Sequence, residues 1–317
     1  MPTAPLTLDL AHSADADDVF MWWPITGMVD PRSPDRVLVR PALDTAPFRF
    51  RSIPEDIQAL NRHAQDAPQD RLYHISAISM ACYPLVAHRY LIADCGSSFG
   101  DGYGPKLVVR DDHPARSLSD LLAAPTPPLV AVPGVHTSAY MALCHLTGGR
   151  VRPRPVRFDL IAGDVQAGNA AAGVLIHEEQ LTFDQHGLRL IADLGQLWTA
   201  DTALPLPLGA NAVRADLDAL AGPGSLARVA QLLADSLDHA LSHRQTSLDY
   251  AATFSPLKTR AQLDRYIDLY VNRFTRALGP LGREAVGRLL AAGAAAGLIP
   301  HNPHAPHAEP RFLSPPR

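Results

Sequence analysis

The sequence of 317 residues has little lysine, no block of like charge and no long apolar run. Of its 28 basic residues only Lys106 and Lys258 are lysines, and the net charge is −4. A chain of this kind lacks the electrostatic footprint of a nucleic-acid-binding protein. None of its apolar runs approaches the ~20 residues that a membrane-spanning helix needs. We therefore expect neither a nucleic-acid partner nor a membrane segment.

Cysteine is scarce as well. The three cysteines, Cys82, Cys95 and Cys144, have spacings that match no zinc or redox motif. We expect buried free thiols, because unpaired cysteine behaves as a small hydrophobic residue. The first residues, Met-Pro-Thr-Ala-Pro-Leu, have neither the basic region nor the apolar region of a secretory signal. The expected location is therefore the cytoplasm.

Short apolar runs alternate with helical periodicity along most of the chain, which is typical of α/β folds. Strands are predicted at Leu6–Ala11, Leu72–Ile78, Leu107–Arg110, Leu129–Val132, Ala172–Ile176 and Leu188–Asp193. The segment Asp30–Pro47 is interpreted as an irregular insertion or a hairpin. Ser52–Glu55 has the pattern of a capping box before a helix. After residue 225, apolar stripes at helical spacing predict a mostly helical region.

Two proline-rich connectors, Ala123–Pro128 and Leu204–Gly209, are interpreted as crossings between domains. They predict a discontinuous first lobe of residues 1–126 plus 207–300, with residues 127–206 inserted as a second lobe. The tail, residues 301–317, is rich in proline and histidine and is predicted to be disordered. The expected fold is therefore a two-lobed α/β structure with a central cleft and C-terminal helices.

Polar residues follow two of the predicted strands. In open α/β sheets, ligands bind beyond the carboxyl ends of strands. Ser79 follows one strand, and Thr137 with Ser138 follows another after a Pro-Gly turn. Free N–H groups and hydroxyls at a helix start can hold a carboxylate or phosphate. The simpler interpretation of each residue is a helix N-cap, but one such end in each lobe favours a shared anion site.

A histidine follows a third strand. The run Ala172–Ile176 is fully apolar and is followed at once by His177 and two glutamates. Such a run is typical of a strand that is buried on both faces. His177 then lies at the end of the strand, where catalytic groups occur. Histidine is the usual general base near neutral pH. His177 is therefore the candidate base, and a structural histidine is the alternative.

The loop Gly96–Pro105 is glycine-rich, but a strand and not a helix follows it. It therefore does not fit a dinucleotide-binding fingerprint. It either serves as a hinge between lobes or contacts a ligand through its backbone. Since the recognised zinc and nucleophile motifs are also missing from the sequence, we predict no metal and no organic cofactor.

Six segments together resemble a known family. They are Gly96–Pro105, Ala131–Ala139, Gly173–Glu178, Leu190–Gly195 with Trp198, Leu204–Gly209 and Tyr270–Asn272. These segments resemble the menaquinone-biosynthesis proteins with a periplasmic-binding-protein-like fold. The similarity is closest to the 1,4-dihydroxy-6-naphthoate synthase branch of the futalosine route. It runs from about residue 8 to residue 299.

The resemblance implies a cytoplasmic lyase without metal or organic cofactor. Such an enzyme converts cyclic dehypoxanthine futalosine to 1,4-dihydroxy-6-naphthoate and releases a small sugar-derived fragment. Its proton acceptor corresponds to His177. Its substrate contacts correspond to Ala77, Ile78, Ser79, Thr137 and Ser138. Two alternatives stay open, namely a non-catalytic solute-binding or sensor protein for a small aromatic carboxylate and the related chorismate dehydratase.

The chain departs from this family near its start. The family loop has the form Ser-Pro-x-Pro-Asn-Asp-x-Phe, whereas Ser13–Phe20 contains no proline and has Asp17 in place of the asparagine. Three acids lining a cleft would repel a substrate carboxylate. We therefore expect Asp15, Asp17 and Asp18 to serve in helix capping and loop structure. The helices after residue 225 either cover a lobe or form the seam of a homodimer.

Overall fold

The computed structural model describes residues 5–299 and 309–316, and its strands form two main sheets. The first stretch of chain contains strands β1 (Leu6–Ser13), β2 (Met28–Asp30), β3 (Ser33–Val39), β4 (Phe48–Glu55), β5 (Ile75–Ser79), β6 (Tyr90–Ala93) and β7 (Ser98–Gly100). Its helices are α1 (Ala16–Thr26), α2 (Ile57–Asp66) and α3 (Tyr83–Val86). The strands β2 and β3 form a hairpin that begins two residues before the segment Asp30–Pro47, for which an irregular insertion or a hairpin is predicted, and ends within it.

The middle of the chain forms a second lobe around its own sheet. Its strands are β8 (Lys106–Arg110), β9 (Leu129–Val132), β10 (Arg152–Pro155), β11 (Ala172–Leu175) and β12 (Leu188–Asp193). Its helices are α4 (Leu118–Leu122), α5 (Ser138–Thr147), α6 (Ile161–Gln166) and α7 (Leu194–Thr202). The strands β9 and β12 have the predicted bounds, because each is an apolar run between clear turn signals.

The chain then returns to the first lobe. This return contains β13 (Leu206–Arg214), α8 (Leu217–Ala221), α9 (Ser225–Ser242), α10 (Arg244–Ala251), α11 (Arg260–Tyr270), α12 (Arg273–Arg276), α13 (Gly279–Ala295) and β14 (Phe312–Leu313). The predicted stripe on α9 is buried at Val229, Leu233 and Leu237. The C-terminal region is thus helical, as its periodicity predicts.

The strand order explains how the two lobes are built. In the first sheet the order is β14-β6-β13-β5-β1-β4, with β7 also paired to β13. The strands β4, β1 and β5 are parallel, and β13 runs antiparallel to β5. In the second sheet the order is β10-β9-β11-β8-β12, with β9 parallel to β10 and β11. The carboxyl ends of the parallel strands therefore define one ligand-binding edge in each lobe.

The lobes also share a hydrophobic core. Trp198 of α7 and Met141 of α5 pack in the same cluster as Leu289 of α13. Trp198 is fully buried, as expected for a core aromatic residue. This shared packing places the start of α5 against the first lobe.

The first crossing between lobes differs from the prediction. The boundary expected at residue 126 is wrong, because β8 pairs with β11 and β12 and so belongs to the second sheet. The chain crosses between β7 and β8, within the glycine-rich segment 101–105. The connector Ala123–Pro128 instead joins α4 to β9 inside the second lobe. The second crossing lies between α7 and β13.

The predicted capping box at Ser52–Glu55 is also wrong. These residues end β4, where they pair with β1 from Leu10 to Ser13. Their backbone is therefore committed to a sheet, and the helix α2 begins two residues later. Its N-cap is Asp56, whose carboxylate accepts a hydrogen bond from Ala59 N at 3.0 Å.

Part of the tail is ordered. Phe312 and Leu313 form β14, which pairs in parallel with β6, so the prediction of disorder for residues 301–317 is wrong there. His301, His304 and His307 lie outside the described residues. Across the part of the chain that the structure covers, no helix combines the length and apolar character needed to cross a bilayer. All three cysteines are buried free thiols, as predicted.

Candidate functional site

A cavity of about 100 Å³ lies between the lobes. The residues predicted to contact substrate all line it, namely Ala77, Ile78, Ser79, Thr137 and Ser138. The first three come from the end of β5, and the other two from the start of α5. Ligand pockets for drug-sized molecules usually measure ~300–1,000 Å³. The cavity is therefore too small for a ligand of that size, and the lobes have to move apart to hold one.

Ser79 is held in place by an asparagine that the sequence analysis did not single out. Asn61 of α2 donates from Nδ2 to Ser79 Oγ at 3.0 Å, and its Oδ1 accepts from Ser79 N at 2.8 Å. Asn61 has no exposed surface. It lies with Leu60 and Ala64 on the buried face of α2, and a polar residue at this apolar spacing is the signal that could have identified it. This pairing fixes the end of β5 at the cavity wall.

The start of α5 is a capped helix terminus that faces the cavity. Thr137 Oγ1 donates to Gly134 O at 2.7 Å and accepts from Tyr140 N at 3.3 Å. The N-cap interpretation of Thr137 is therefore confirmed. The next two N–H groups, those of Ser138 and Ala139, have no acceptor within the described residues, as is usual in the first turn of a helix. They are the hydrogen-bond donors that α5 can present to an anion.

Ser138 connects the two lobes directly. Its hydroxyl donates to Leu208 O at 2.6 Å and accepts from Ala81 N at 3.1 Å. Both partners belong to the first lobe, on β13 and just after β5. The Ser138 side chain is thus engaged in holding the closed cleft, while its backbone N–H stays available.

On the opposite wall, the start of α1 brings together the acids of Ser13–Phe20. Asp15, Asp17 and Asp18 all line the cavity. The expected loop role is observed for Asp18, whose carboxylate accepts from Ser13 N at 2.8 Å and from Trp22 Nε1 at 3.3 Å. The expected capping role is not observed for Asp15, since it is at the N-cap position of α1 but makes no side-chain capping bond.

Crowding and burial favour the neutral form of these acids. Burial raises the pKa of Asp18 to about 8 and that of Asp17 to about 6. Burial, followed by the charge of Glu178, also raises the pKa of Asp15 well above its ordinary value. Unpaired charge in a poorly hydrated site is costly, so each carboxyl holds its proton to higher pH. This wall is therefore rich in acidic residues, but not all of them are ionised at neutral pH.

The second lobe reaches this wall through a 3₁₀ turn, Glu178–Leu181, that follows β11. Glu178 Oε1 accepts a hydrogen bond from Ala16 N, at the start of α1, at 3.3 Å. Two residues on, Gln180 Oε1 accepts from the Tyr270 hydroxyl of α11 at 2.9 Å. Burial raises the pKa of Glu178 to about 7. The turn therefore forms a second bridge between lobes, and Glu178 was not identified by sequence reasoning.

His177 lies next to the cavity but not on its wall. Ile176, one residue earlier, lines the cavity, whereas the His177 ring packs edge-on against Phe158 with centroids 4.7 Å apart. The residue is 3% exposed, and its Nδ1 has no hydrogen-bond partner among residues 5–299 and 309–316. Burial lowers the pKa of His177 to about 4. The imidazole is therefore neutral at pH 7 and able to accept a proton.

The described lining of the cavity includes no lysine, arginine or histidine side chain. Within residues 5–299 and 309–316, no set of three or more His, Cys, Asp or Glu side chains is arranged to hold a metal ion. An anionic ligand therefore depends on backbone N–H groups and hydroxyls. The start of α5 offers them, and the acids at the start of α1 do not.

Comparisons with known proteins identify relatives along nearly the whole chain. The model of the menaquinone-biosynthesis family matches residues 8–295. The 1,4-dihydroxy-6-naphthoate synthase of Thermus thermophilus is 35% identical over 258 residues, covering 81% of this chain and 88% of the relative. The enzyme of the same name from Streptomyces coelicolor is 32% identical over 299 residues, covering 93% of this chain and 95% of the relative.

A solved structure shows the same fold at much lower sequence identity. The ligand-binding component of an ABC-type import system from Staphylococcus aureus superposes with a TM-score of 0.68 at 9% identity, covering 98% of this chain and 97% of that one. At this identity the similarity concerns the fold alone. The predicted two-lobed, periplasmic-binding-protein-like fold is thereby confirmed.

Proposed function

The chain belongs to the menaquinone-biosynthesis family, and from that premise we propose that it is the lyase that forms 1,4-dihydroxy-6-naphthoate from cyclic dehypoxanthine futalosine. The observation that carries the proposal is the closed cavity in which the end of β5 and the start of α5 meet from different lobes. A cleft that closes over its ligand can hold an aromatic acid away from water during fragmentation.

The substrate carboxylate is assigned to the start of α5. There the N–H groups of Ser138 and Ala139 point out of the first helical turn, and Thr137 already caps the helix. The positive end of the helix dipole favours an anion at this position. No cationic side chain among the described lining residues competes for the carboxylate. Ser79, fixed by Asn61, lies on the facing lobe and offers its hydroxyl to the same group.

Proton removal is assigned to His177. Burial lowers its pKa, so the imidazole is neutral at pH 7 but only a weak base while it stays buried, and Nδ1 has no hydrogen-bond partner within the described residues. To reach a ligand beside Ile176, the ring has to leave the edge of Phe158. Opening of the cleft to admit substrate gives the ring an occasion to make that movement. A positioned general base typically contributes ~10²–10⁴-fold to the rate.

The test is a direct assay of the purified protein with cyclic dehypoxanthine futalosine, in which naphthoate is followed by chromatography. Wild type should form product, and His177→Ala should lose ~10²–10⁴-fold in kcat while keeping its melting temperature. The control is His113→Ala, which alters a histidine of the same lobe that has no cavity-lining residue next to it in the sequence. An unchanged rate in His177→Ala would remove His177 from the mechanism.

One observation favours a second function, that of a non-catalytic binding protein. In the closed cleft His177 stands off the cavity wall, so the structure holds a ligand site without an engaged base. The assay separates the two functions. Product from wild type supports the lyase. Absence of product, combined with a rise in melting temperature on adding the substrate, supports the binding protein, and chorismate tested in parallel covers the dehydratase alternative.

The reaction is assigned to the cytoplasm. The support is the biosynthetic role in the names of the curated relatives. Fractionation of the source cells followed by immunoblotting should find the protein with cytoplasmic markers. Recovery with periplasmic or membrane markers would contradict the assignment.

A further inference from the structure

We infer that the cavity has a second, hydroxyl-recognising end built around Asn211, which accepts a hydrogen bond from the part of the ligand farthest from its carboxylate. This inference deepens the proposed function and rests on it for the identity of the ligand. It assigns an orientation to the bound molecule. The carboxylate lies at the start of α5, and the hydroxyl-bearing ring lies between Asn211 and the start of α1.

The side-chain amide of Asn211 has a hydrogen-bond partner at its nitrogen and, within the described structure, none at its oxygen. It lies on β13, lines the cavity and is 1% exposed. Its Nδ2 donates to Gly96 O at 2.8 Å, whereas its Oδ1 is buried without any donor in the described structure. A buried acceptor without a partner costs free energy. A ligand hydroxyl in the cavity supplies the donor that the protein does not.

The orientation of the amide is fixed by its neighbour. A backbone carbonyl only accepts hydrogen bonds, so the amide nitrogen and not the oxygen must face Gly96 O. Gly96 has φ +79°, and a Cβ there would lie 2.6 Å from the Trp22 ring and 3.0 Å from Asn211 Nδ2. Glycine therefore allows the backbone to approach this closely. Since the nitrogen is held, Oδ1 is available as an acceptor.

The surroundings of Asn211 discriminate against a carboxylate. Asp15, Asp17 and Asp18 line the same cavity from the start of α1. The pKa of Asp17 is about 6, so this carboxylate is ionised at pH 7 and would repel a second carboxylate, whereas a hydroxyl can donate to it. The other end of the cavity offers donors, namely the N–H groups of Ser138 and Ala139. The two ends thus select different groups of one ligand.

The register of the first sheet separates the two ends. On β13, Gly209 is paired with Ser79, and Asn211 is paired with Ala77. Residues two apart on a strand face the same side and lie about 7 Å from each other. Asn211 is therefore about 7 Å farther along the wall than the Ser79 end. This spacing suits a rigid two-ring acid that carries its carboxylate on one ring and hydroxyls on the other.

The experiment compares two ligands of the same skeleton. 1,4-Dihydroxy-6-naphthoate carries the carboxylate and two hydroxyls, and 2-naphthoate carries the carboxylate alone. Binding of each is measured by calorimetry to wild type, Asn211→Leu and Asn211→Asp. We expect wild type to bind the hydroxylated acid roughly tenfold more tightly, since one hydrogen bond separates the ligands at this site. Leucine should abolish that preference and leave 2-naphthoate binding unchanged. Aspartate in its protonated form can donate to Gly96 O and accept at its other oxygen, so it should retain the preference.

The outcomes are separate from those of the lyase assay. A wild type that prefers the hydroxylated acid but makes no product contradicts the proposed function and supports the subsite. A wild type that makes product but binds both acids equally overturns the subsite. A preference that persists in Asn211→Leu also overturns it, as does failure of wild type to bind either acid. If Asn211→Leu does not fold, the wild-type preference and its retention in Asn211→Asp decide the matter.

Discussion

Two helices begin at the same cavity, and they begin in different ways. At the start of α5, Thr137 caps its own helix by accepting from Tyr140 N. At the start of α1, Asp15 occupies the N-cap position without capping, and Ala16 N donates instead to Glu178 of the other lobe. The cap at the start of α5 is therefore complete within one lobe. The acidic end becomes complete only when the lobes close.

This difference separates a preformed site from one that closure assembles. Because the cap of α5 is made within one lobe, we expect its N–H groups to keep their orientation when the lobes separate and to receive a carboxylate first. Closure then brings Glu178 onto the start of α1 and Ser138 onto Leu208 and Ala81. Binding followed by closure is the order that this arrangement favours.

The largest expected effect is a pH dependence that comes from the buried acids at the acidic end, with a contribution from Glu179, whose pKa burial also raises to about 7. The pKa of Asp18 is raised to about 8 and that of Glu178 to about 7, both chiefly by burial. The native state therefore holds protons that the unfolded state has released, and stability falls as pH rises. Each such proton changes stability by about 1.4 kcal/mol per pH unit. The melting temperature should decrease from pH 6.5 to pH 8.5.

Two histidines set the lower pH limit of this decrease in stability. Burial lowers the pKa of His12 and of His177 to about 4, so below pH 6.5 they make stability rise with pH and oppose the acids. Glu178→Gln should flatten the decrease above pH 6.5. Asp120→Asn should leave it unchanged, because hydrogen bonds from Arg116 N and Ser117 lower the pKa of that exposed acid. Equal slopes in wild type and Glu178→Gln would contradict this account.

The next largest expected effect is a loss of stability when the hydrogen bonds between the start of α1 and the end of β1 are removed. Asp18 accepts from Ser13 N and from Trp22 Nε1, both buried. Asp18→Ala leaves these donors unpaired and should cost ~1–3 kcal/mol of unfolding free energy, measured by urea denaturation at pH 6. Asp18→Asn keeps an acceptor and should cost clearly less. Equal losses in the two variants would show that the hydrogen bonds at Asp18 do not hold this loop.

Local patterns predicted the elements that depend on nearby residues. The strand Leu129–Val132 and the helix start at Thr137 have their signals within a few positions. The segment Ser52–Glu55 has a local capping pattern as well, but pairing with β1, about forty residues earlier, overrides it. A short sequence window does not include a strand partner that lies so far away in the chain. The prediction was therefore wrong because strand pairing is a long-range interaction.

The same limit applies to the cavity. The rule that ligands bind at strand ends located Ser79, Thr137 and Ser138, because each follows its own strand. It could not find the contact between Glu178 and Ala16, which are 162 residues apart and belong to different lobes. Nor could it find Asn211, which lies inside β13 and is paired at only one end of its amide. Groups assembled by closure were visible only in the folded structure.

The smallest expected losses of stability test the difference between the two helix starts most directly, because the N-cap residue of each helix is replaced by alanine. Thr137→Ala removes a cap that accepts from Tyr140 N, and it should cost ~1 kcal/mol in urea denaturation. Asp15→Ala removes an N-cap residue without a capping bond, so its effect at pH 6 should stay within about 0.5 kcal/mol.

A measured loss at Asp15 equal to that at Thr137 would mean that Asp15 caps α1 in solution, and the two helix starts would then be alike. A loss at Thr137 alone supports the difference between them. The double variant extends the argument, because the two positions share no hydrogen bond and their effects should add within ~0.5 kcal/mol. Additivity would show that the preformed end and the closure-assembled end contribute independently to stability. The only coupling between them would then be through a ligand that spans both.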